Sequence, residues 1–175
     1  MASQYGVNTV TSVNAARPIR INSSTPIGLV GTVLLPANTV DMSEEHIVIY
    51  EKIKAGIPLF FGSADKANEV FGELEGTLRE SLDGVADQNV TGPLIVIAVK
   101  LETTHSGKVP ENFYDDLTLK SKIIAAVGRL KGVAGTVGYK PNLIVALRFS
   151  HALDVATEMT SVAQRLLGMA LVDLN

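Results

Sequence analysis

Apolar residues fall into short unbroken runs separated by amphipathic stretches, and this alternation predicts an α/β fold. Pro26–Leu35 is apolar on both faces and bounded by Pro26 and Pro36, the pattern of a strand in a covered sheet. Two short apolar runs follow, Ile47–Tyr50 and Ile57–Phe61, and Pro58 places the second at a sheet edge or a strand start. Ser63–Gly72 opens with an N-cap residue and closes on glycine, which predicts a short helix. Thr77–Asp87 sets Leu78, Leu82 and Val85 or Ala86 on one helical face. Leu94–Val99 reads as a buried strand, and residues 101–116, with Gly107 and Pro110, as a polar surface loop. Helical spacing returns over Leu117–Leu130, then a glycine-rich C-cap and loop over Gly132–Gly138, then a buried strand at Leu143–Leu147. His151–Leu167 predicts a long helix, with a final strand pattern running from Leu167 to Asn175. The helix–strand alternation from residue 94 onward implies a layered sheet, mostly parallel in its second half, with helices packed on it.

The two ends depart from this rhythm. Residues 1–25 form an extended N-terminal arm in which Val7, Val10, Val13, Ile19 and Ile21 sit among polar neighbours. β-Branched residues without a helical face give weak strand character, and such a segment needs another sheet edge to pair with. A frayed terminus is the alternative reading. Residues 26–175 form the α/β core, expected to be incomplete at its C-terminal end because the pattern stops on a strand with no following helix. Residues 169–174 are therefore expected to be an unfinished part of the sheet, completed by a neighbour or left as an exposed edge.

Composition narrows the function classes. With 175 residues, 46% hydrophobic and 19% charged, the chain is long and apolar enough to bury one domain core. Its formal net charge of -3 and lack of a basic run argue against nucleic-acid binding. The chain has no cysteine, which removes disulfides, thiolate metal sites and a thiol nucleophile. Met1–Val7 carries no signal-peptide pattern and Leu94–Val99 is too short to cross a bilayer, so a soluble cytoplasmic protein is expected.

Candidate chemistry is sparse. The glycines of Gly132–Gly138 follow a helix and Lys140-Pro141 leads into a strand, so the context of a phosphate loop is missing. Arg148, Ser150 and His151 lie at the end of a predicted strand, where α/β proteins place their sites. They support the alternative reading of a small α/β enzyme or ligand-binding domain. Against it, adjacent residues rarely align an imidazole on a hydroxyl, and Ser150 reads better as the cap of the next helix. His105 with Glu102, Glu111, Asp115 and Asp116 lacks metal-ligand spacing. The acid pairs Glu44-Glu45 and Asp115-Asp116 read as first-turn helix charges or surface loops, and His46 stands alone. With no tryptophan, a base-stacking platform is not expected. No catalytic residue, cofactor or metal is assigned.

The order of short motifs resembles one family. Tyr5-Gly6-Val7 followed by a polar arm and Thr25–Val33 resembles the opening of contractile tail sheath proteins of phages and related injection systems. Ile57–Ser63 with Ala64-Asp65 and Val70-Phe71-Gly72 is similar to that family's strand, serine, short helix and Phe-Gly passage. Thr77–Gln88 followed by Pro93–Lys100, the Tyr139–Ala146 stretch with its Lys140-Pro141, and the helix ending in Leu171-Val172-Asp173 continue the series. The resemblance covers nearly all of the chain, and one departure is Leu147-Arg148 where the family often has Pro-Gly. Sheath subunits usually run to twice this length or more, so the resemblance implies only the amino-terminal portion of one. It implies a structural subunit rather than an enzyme, without cofactors, which polymerises with itself around a tail tube protein and meets a baseplate. Its place would be the virion tail, after assembly in the host cytoplasm. Val7, Val10, Val13, Ile19 and Ile21 would then serve intersubunit strand pairing.

Overall fold

The computed structural model describes residues 26–36, 43–88, 92–102 and 113–173. Among them are five strands, β1 (Ile27–Val33), β2 (Leu59–Phe61), β3 (Leu94–Lys100), β4 (Leu143–Val145) and β5 (Met169–Leu171). Six helices accompany them: α1 (Glu44–Lys54), α2 (Ala64–Phe71), α3 (Thr77–Asp87), α4 (Leu117–Arg129), α5 (Val133–Val137) and α6 (Leu153–Leu166). The strands form one sheet in the order β2-β3-β1-β4-β5, parallel except for β2, which runs antiparallel to β3. The expected α/β sheet with helices on both faces is what the chain forms. The arm residues Val7, Val10, Val13, Ile19 and Ile21 lie outside the described residues.

Local chemistry sets most element boundaries. Ser63 accepts from the Lys66 N–H to cap α2, and Gly72 closes it. Asp116 accepts from the Thr118 N–H at 2.8 Å to cap α4, so one member of the Asp115-Asp116 pair is a cap. Strand β2 sits at a sheet edge directly after Pro58, where a missing N–H costs no ladder bond.

One run left unassigned by its pattern finds its element, and three readings need correction. The apolar run Ile47–Tyr50 lies in helix α1, which Ser43 caps and which carries Glu44 and Glu45 in its first turn and Lys52 and Lys54 in its last. Tyr50 and Ile53 are its buried residues, so the inward stripe is narrow and the run of four masks a helical period. The Gly132–Gly138 stretch is helical over Val133–Val137 rather than a loop, and Gly138 (φ 76°) ends that turn in the left-handed region. Strand β4 stops at Val145 because the Ala146 carbonyl accepts from both Phe149 and Ser150 N–H groups, turning the chain. Ser150 does not cap α6: Ala152 holds the N-cap position and offers no side-chain acceptor.

Two hydrophobic cores sandwich the sheet. On one face Val30, Ile95, Ile97 and Ile144 meet Ile123 and Val127 of α4 and Val155, Met159 and Val162 of α6. On the other, Leu29, Leu94 and Val96 meet Tyr50 and Ile53 of α1, Phe71 of α2 and Leu78 and Leu82 of α3. Strand β3, between β2 and the central β1, is buried over its first six residues and feeds both cores by alternation. Each fully buried aliphatic or aromatic side chain stabilises the fold by about 1.5–3 kcal/mol relative to exposure.

Candidate functional site

Open α/β sheets receive ligands at the carboxyl ends of the strands, in the crevice where the strand order reverses. Here β1 leads to β2 and β3 on one side, and the chain then crosses to β4 and β5 on the other. The crevice therefore falls between the carboxyl ends of β1 and β4. On β1, strand β4 pairs with Ile27–Leu29 alone, while β1 continues to Val33. The Ile27 N–H and the Val33 carbonyl bond toward β3, through Pro93 and Leu101, so the alternate residues Thr32 and Leu34 face the side that β4 has left.

The chain fills that gap with the start of α3. Thr77 Oγ1 accepts from the Thr32 N–H at 3.0 Å, and Thr32 Oγ1 accepts from the Thr77 N–H at 3.2 Å. The Glu75 carbonyl accepts from the Leu34 N–H at 2.7 Å. Gly76 lies between these contacts at φ 141°, against the main chain of Thr32, where any Cβ would strike the Thr32 carbonyl. Thr32 and Thr77 are fully buried, so the polar groups of the strand end are satisfied internally. The Glu75-Gly76-Thr77 sequence was the legible signal for this clip, a glycine beside a hydroxyl residue at a helix start.

The three residues of the ligand-site alternative do not converge. Arg148 stands at φ 68° in the turn after β4, and its Nε donates to Glu80 Oε2 at 2.9 Å. Its guanidinium also lies 5.8 Å from the centre of the Tyr114 ring. The Glu80 hydrogen bond, then the Glu80 and Tyr114 charges, push the Arg148 pKa further up. Burial, reinforced by Glu80, raises that of Tyr114, with Arg148 opposing. Ser150 is buried and its Oγ accepts from the Asp173 N–H at 3.4 Å, tying the turn after β4 to the residues after β5. His151 is exposed. Arg148 thus anchors the β4 turn to α3, and Ser150 anchors the segment after β5.

The other polar candidates have structural partners. His46 Nδ1 is 2.6 Å from the hydroxyl of its own cap residue, Ser43. Lys140 donates to the Leu166 carbonyl at 3.1 Å, satisfying the C-terminal end of α6 rather than facing a glycine loop. His105 and Glu111 lie outside the described residues, and no group of three potential metal ligands occurs among the described ones. No helix there is long and apolar enough to cross a membrane.

What remains distinctive is the pair of sheet edges. At β2, Phe60 stacks on Tyr139 with ring centres 4.8 Å apart and planes 9° from parallel. A groove of about 950 Å³ runs beside this edge, lined by Ile57, Phe60 and Val137 together with the charged Lys52, Lys66 and Glu69. At β5, Met169 is 69% and Leu171 54% exposed, beside half-buried Leu143 and Val145 of β4. The intervening Ala170 packs on the α4–α6 core. Leu167, at φ 55° in the turn into β5, is 86% exposed. The expected terminal edge strand is thus present, shortened to Met169–Leu171.

Comparison with protein-family models and with curated proteins gave no match to this chain.

Proposed function

We propose that the chain is a structural subunit of a contractile tail sheath, polymerising around a tail tube and contracting to drive injection. The observation that carries this reading is the order and spacing of the short motifs from Tyr5-Gly6-Val7 to Leu171-Val172-Asp173, which resemble those of sheath proteins along nearly the whole chain. Two structural features support it. The crevice that serves ligands in open α/β sheets is occupied by Gly76 and Thr77, which favours assembly over the ligand-site alternative. Among the described residues the sheet also has an exposed apolar edge strand, suited to pairing with another chain.

In this reading the arm, with Val7, Val10, Val13, Ile19 and Ile21, adds a strand to a neighbouring subunit. Backbone hydrogen bonds would hold the lattice while subunits rotate as rigid bodies during contraction. Partners would be other copies, a tail tube protein and a baseplate, in the tail of a virion assembled in the host cytoplasm. Negative-stain electron microscopy of the protein across a concentration series is the test. Rings or tubes are expected, and a monomer at every concentration would sink the proposal.

A further inference from the structure

Polymerisation needs folded bodies whose surfaces fit one another, and the assembly reading above, on which this inference rests, leaves those surfaces open. We infer that the acidic outer row of α3 on one copy docks on the basic outer row of α4 on the next.

Charge is divided between the two faces of the sheet. Ala64–Asp87, which covers one face with α2 and α3, holds seven acidic side chains and two basic ones. Leu117–Val137, on the opposite face, holds four basic side chains and no acid. Little of the acidic charge is neutralised within the chain. Among the described residues, Glu80 is the one acid of Ala64–Asp87 with an ion-pair partner, Arg148 at 2.9 Å.

Helix α3 presents this charge in a row. Leu78 and Leu82 are buried, which leaves Glu80, Asp83 and Asp87 exposed along the outer side. Like charges three and four residues apart on a helix repel. Asp87 also stands in the last turn, where the helix dipole disfavours a carboxylate and where α3 carries no basic residue. A cationic surface laid against this row relieves both costs.

The α4 row has the opposite charge and a matching spacing. Leu119, Ile123, Ala126 and Val127 are its buried residues, and Lys122, Ala125 and Arg129 stand exposed. Lys122 and Arg129, like Glu80 and Asp87, are two turns apart, about 10.5 Å along a helix. Each row carries a small residue between its charges, Gly84 on α3 and Ala125 on α4, so two such helices can approach closely. No atom lies within 4 Å of where a Gly84 Cβ would stand. A cleft of about 390 Å³ beside α4 adds Lys54 and Lys100 to the basic side, with Glu102 the one acid in its lining. Glu102 is shared by Lys100 at 3.8 Å and Lys122 at 3.7 Å, so one carboxylate serves two ammonium groups. Arg129 Nη1 donates to the Gly56 carbonyl at 2.8 Å, which holds the guanidinium at the rim.

The partner that fits both rows is a second copy in head-to-tail order. A symmetric pair through either row sets like charge against like. Because α3 and α4 lie on opposite faces of the sheet, a copy that donates its α3 keeps its own α4 open, and the contact repeats into rings or helical polymers.

Sedimentation velocity of the full chain tests this. Self-association should weaken about tenfold or more between about 50 and 500 mM sodium chloride. Asp83→Asn/Asp87→Asn and Lys100→Gln/Lys122→Gln chains should each lose self-association by a similar factor, with thermal unfolding unchanged. Mixed in equal amounts, these two should form a one-to-one pair that grows no further, since each supplies the row the other lacks. A single chain carrying Asp83→Lys, Asp87→Lys, Lys100→Glu and Lys122→Glu should recover association. Self-association untouched by salt or by both neutral pairs, or a mixture that grows as far as the unaltered chain, would overturn the inference. If one pair of substitutions unfolds the chain, the other pair and the salt series decide it. The two proposals fail separately under the electron microscope. Salt-dependent oligomers without rings or tubes reject the sheath and keep the contact, whereas rings or tubes formed equally well by both neutral variants reject the contact and keep the sheath.

Discussion

The two flanks of the sheet are made from similarly apolar strands and finish differently. On the β2–β3–β1 flank, helices cover both faces and the last strand is stacked, charged about its groove and preceded by proline. On the β4–β5 flank the α4–α6 layer packs on one face, and among the described residues the opposite face passes from half-buried Leu143 and Val145 to exposed Met169 and Leu171. Hydrophobicity alone therefore does not say whether a strand stabilises its own chain. The same leucine contributes core energy on one flank and a contact surface on the other, according to what lies over it.

Paired substitutions break this comparison most directly. Ile97→Ala, in the covered flank and fully buried, should cost about 2–5 kcal/mol in urea unfolding, whereas Leu171→Ala should stay within about 0.5 kcal/mol. Equal losses would show the flanks to be alike. Gly76→Ala should cost about 3 kcal/mol, because it combines an unfavourable φ with a Cβ against the Thr32 carbonyl. Thr77→Val, which keeps the shape but leaves the buried Thr32 N–H without its acceptor, should cost about 1–3 kcal/mol. On the open flank the sign reverses: Leu167→Gly should raise stability by about 0.5–1 kcal/mol, seen as a higher denaturation midpoint.

The smallest effect concerns alkaline pH. Burial, and then Glu73, raises the Tyr50 pKa above its ordinary value of 10.0. Because the folded state holds this proton more tightly than the unfolded state, the associated stability is complete below pH 10.0 and falls as pH rises through the folded pKa. Tyr50→Phe should flatten that alkaline limb of the unfolding free energy while leaving neutral-pH behaviour nearly unchanged. An unaltered limb would remove Tyr50 from the account.

Legibility in the sequence tracked how local each cause was. Helix α3 was readable to the residue because Leu78 and Leu82 lie one turn apart, and α2 because Ser63 and Gly72 mark its ends. The Ile47–Tyr50 run was opaque, since four apolar residues in a row carry no period and only Ser43 and the first-turn acids disclose the helix. Ser150 looked like a cap but bonds the Asp173 N–H, a partner 23 residues away in a neighbouring strand exit. The Arg148–Glu80 pair, 68 residues apart, had no local signature.

Sequence by itself thus determined the α/β class and the type of most elements, because caps and periods act within a few residues. Tertiary structure decided that β2 runs antiparallel, that Gly76 and Thr77 close the crevice beside β1, and that Met169 and Leu171 remain uncovered. Those outcomes depend on which strands become neighbours and where their overlap ends, and no local run of residues encodes a neighbour's length.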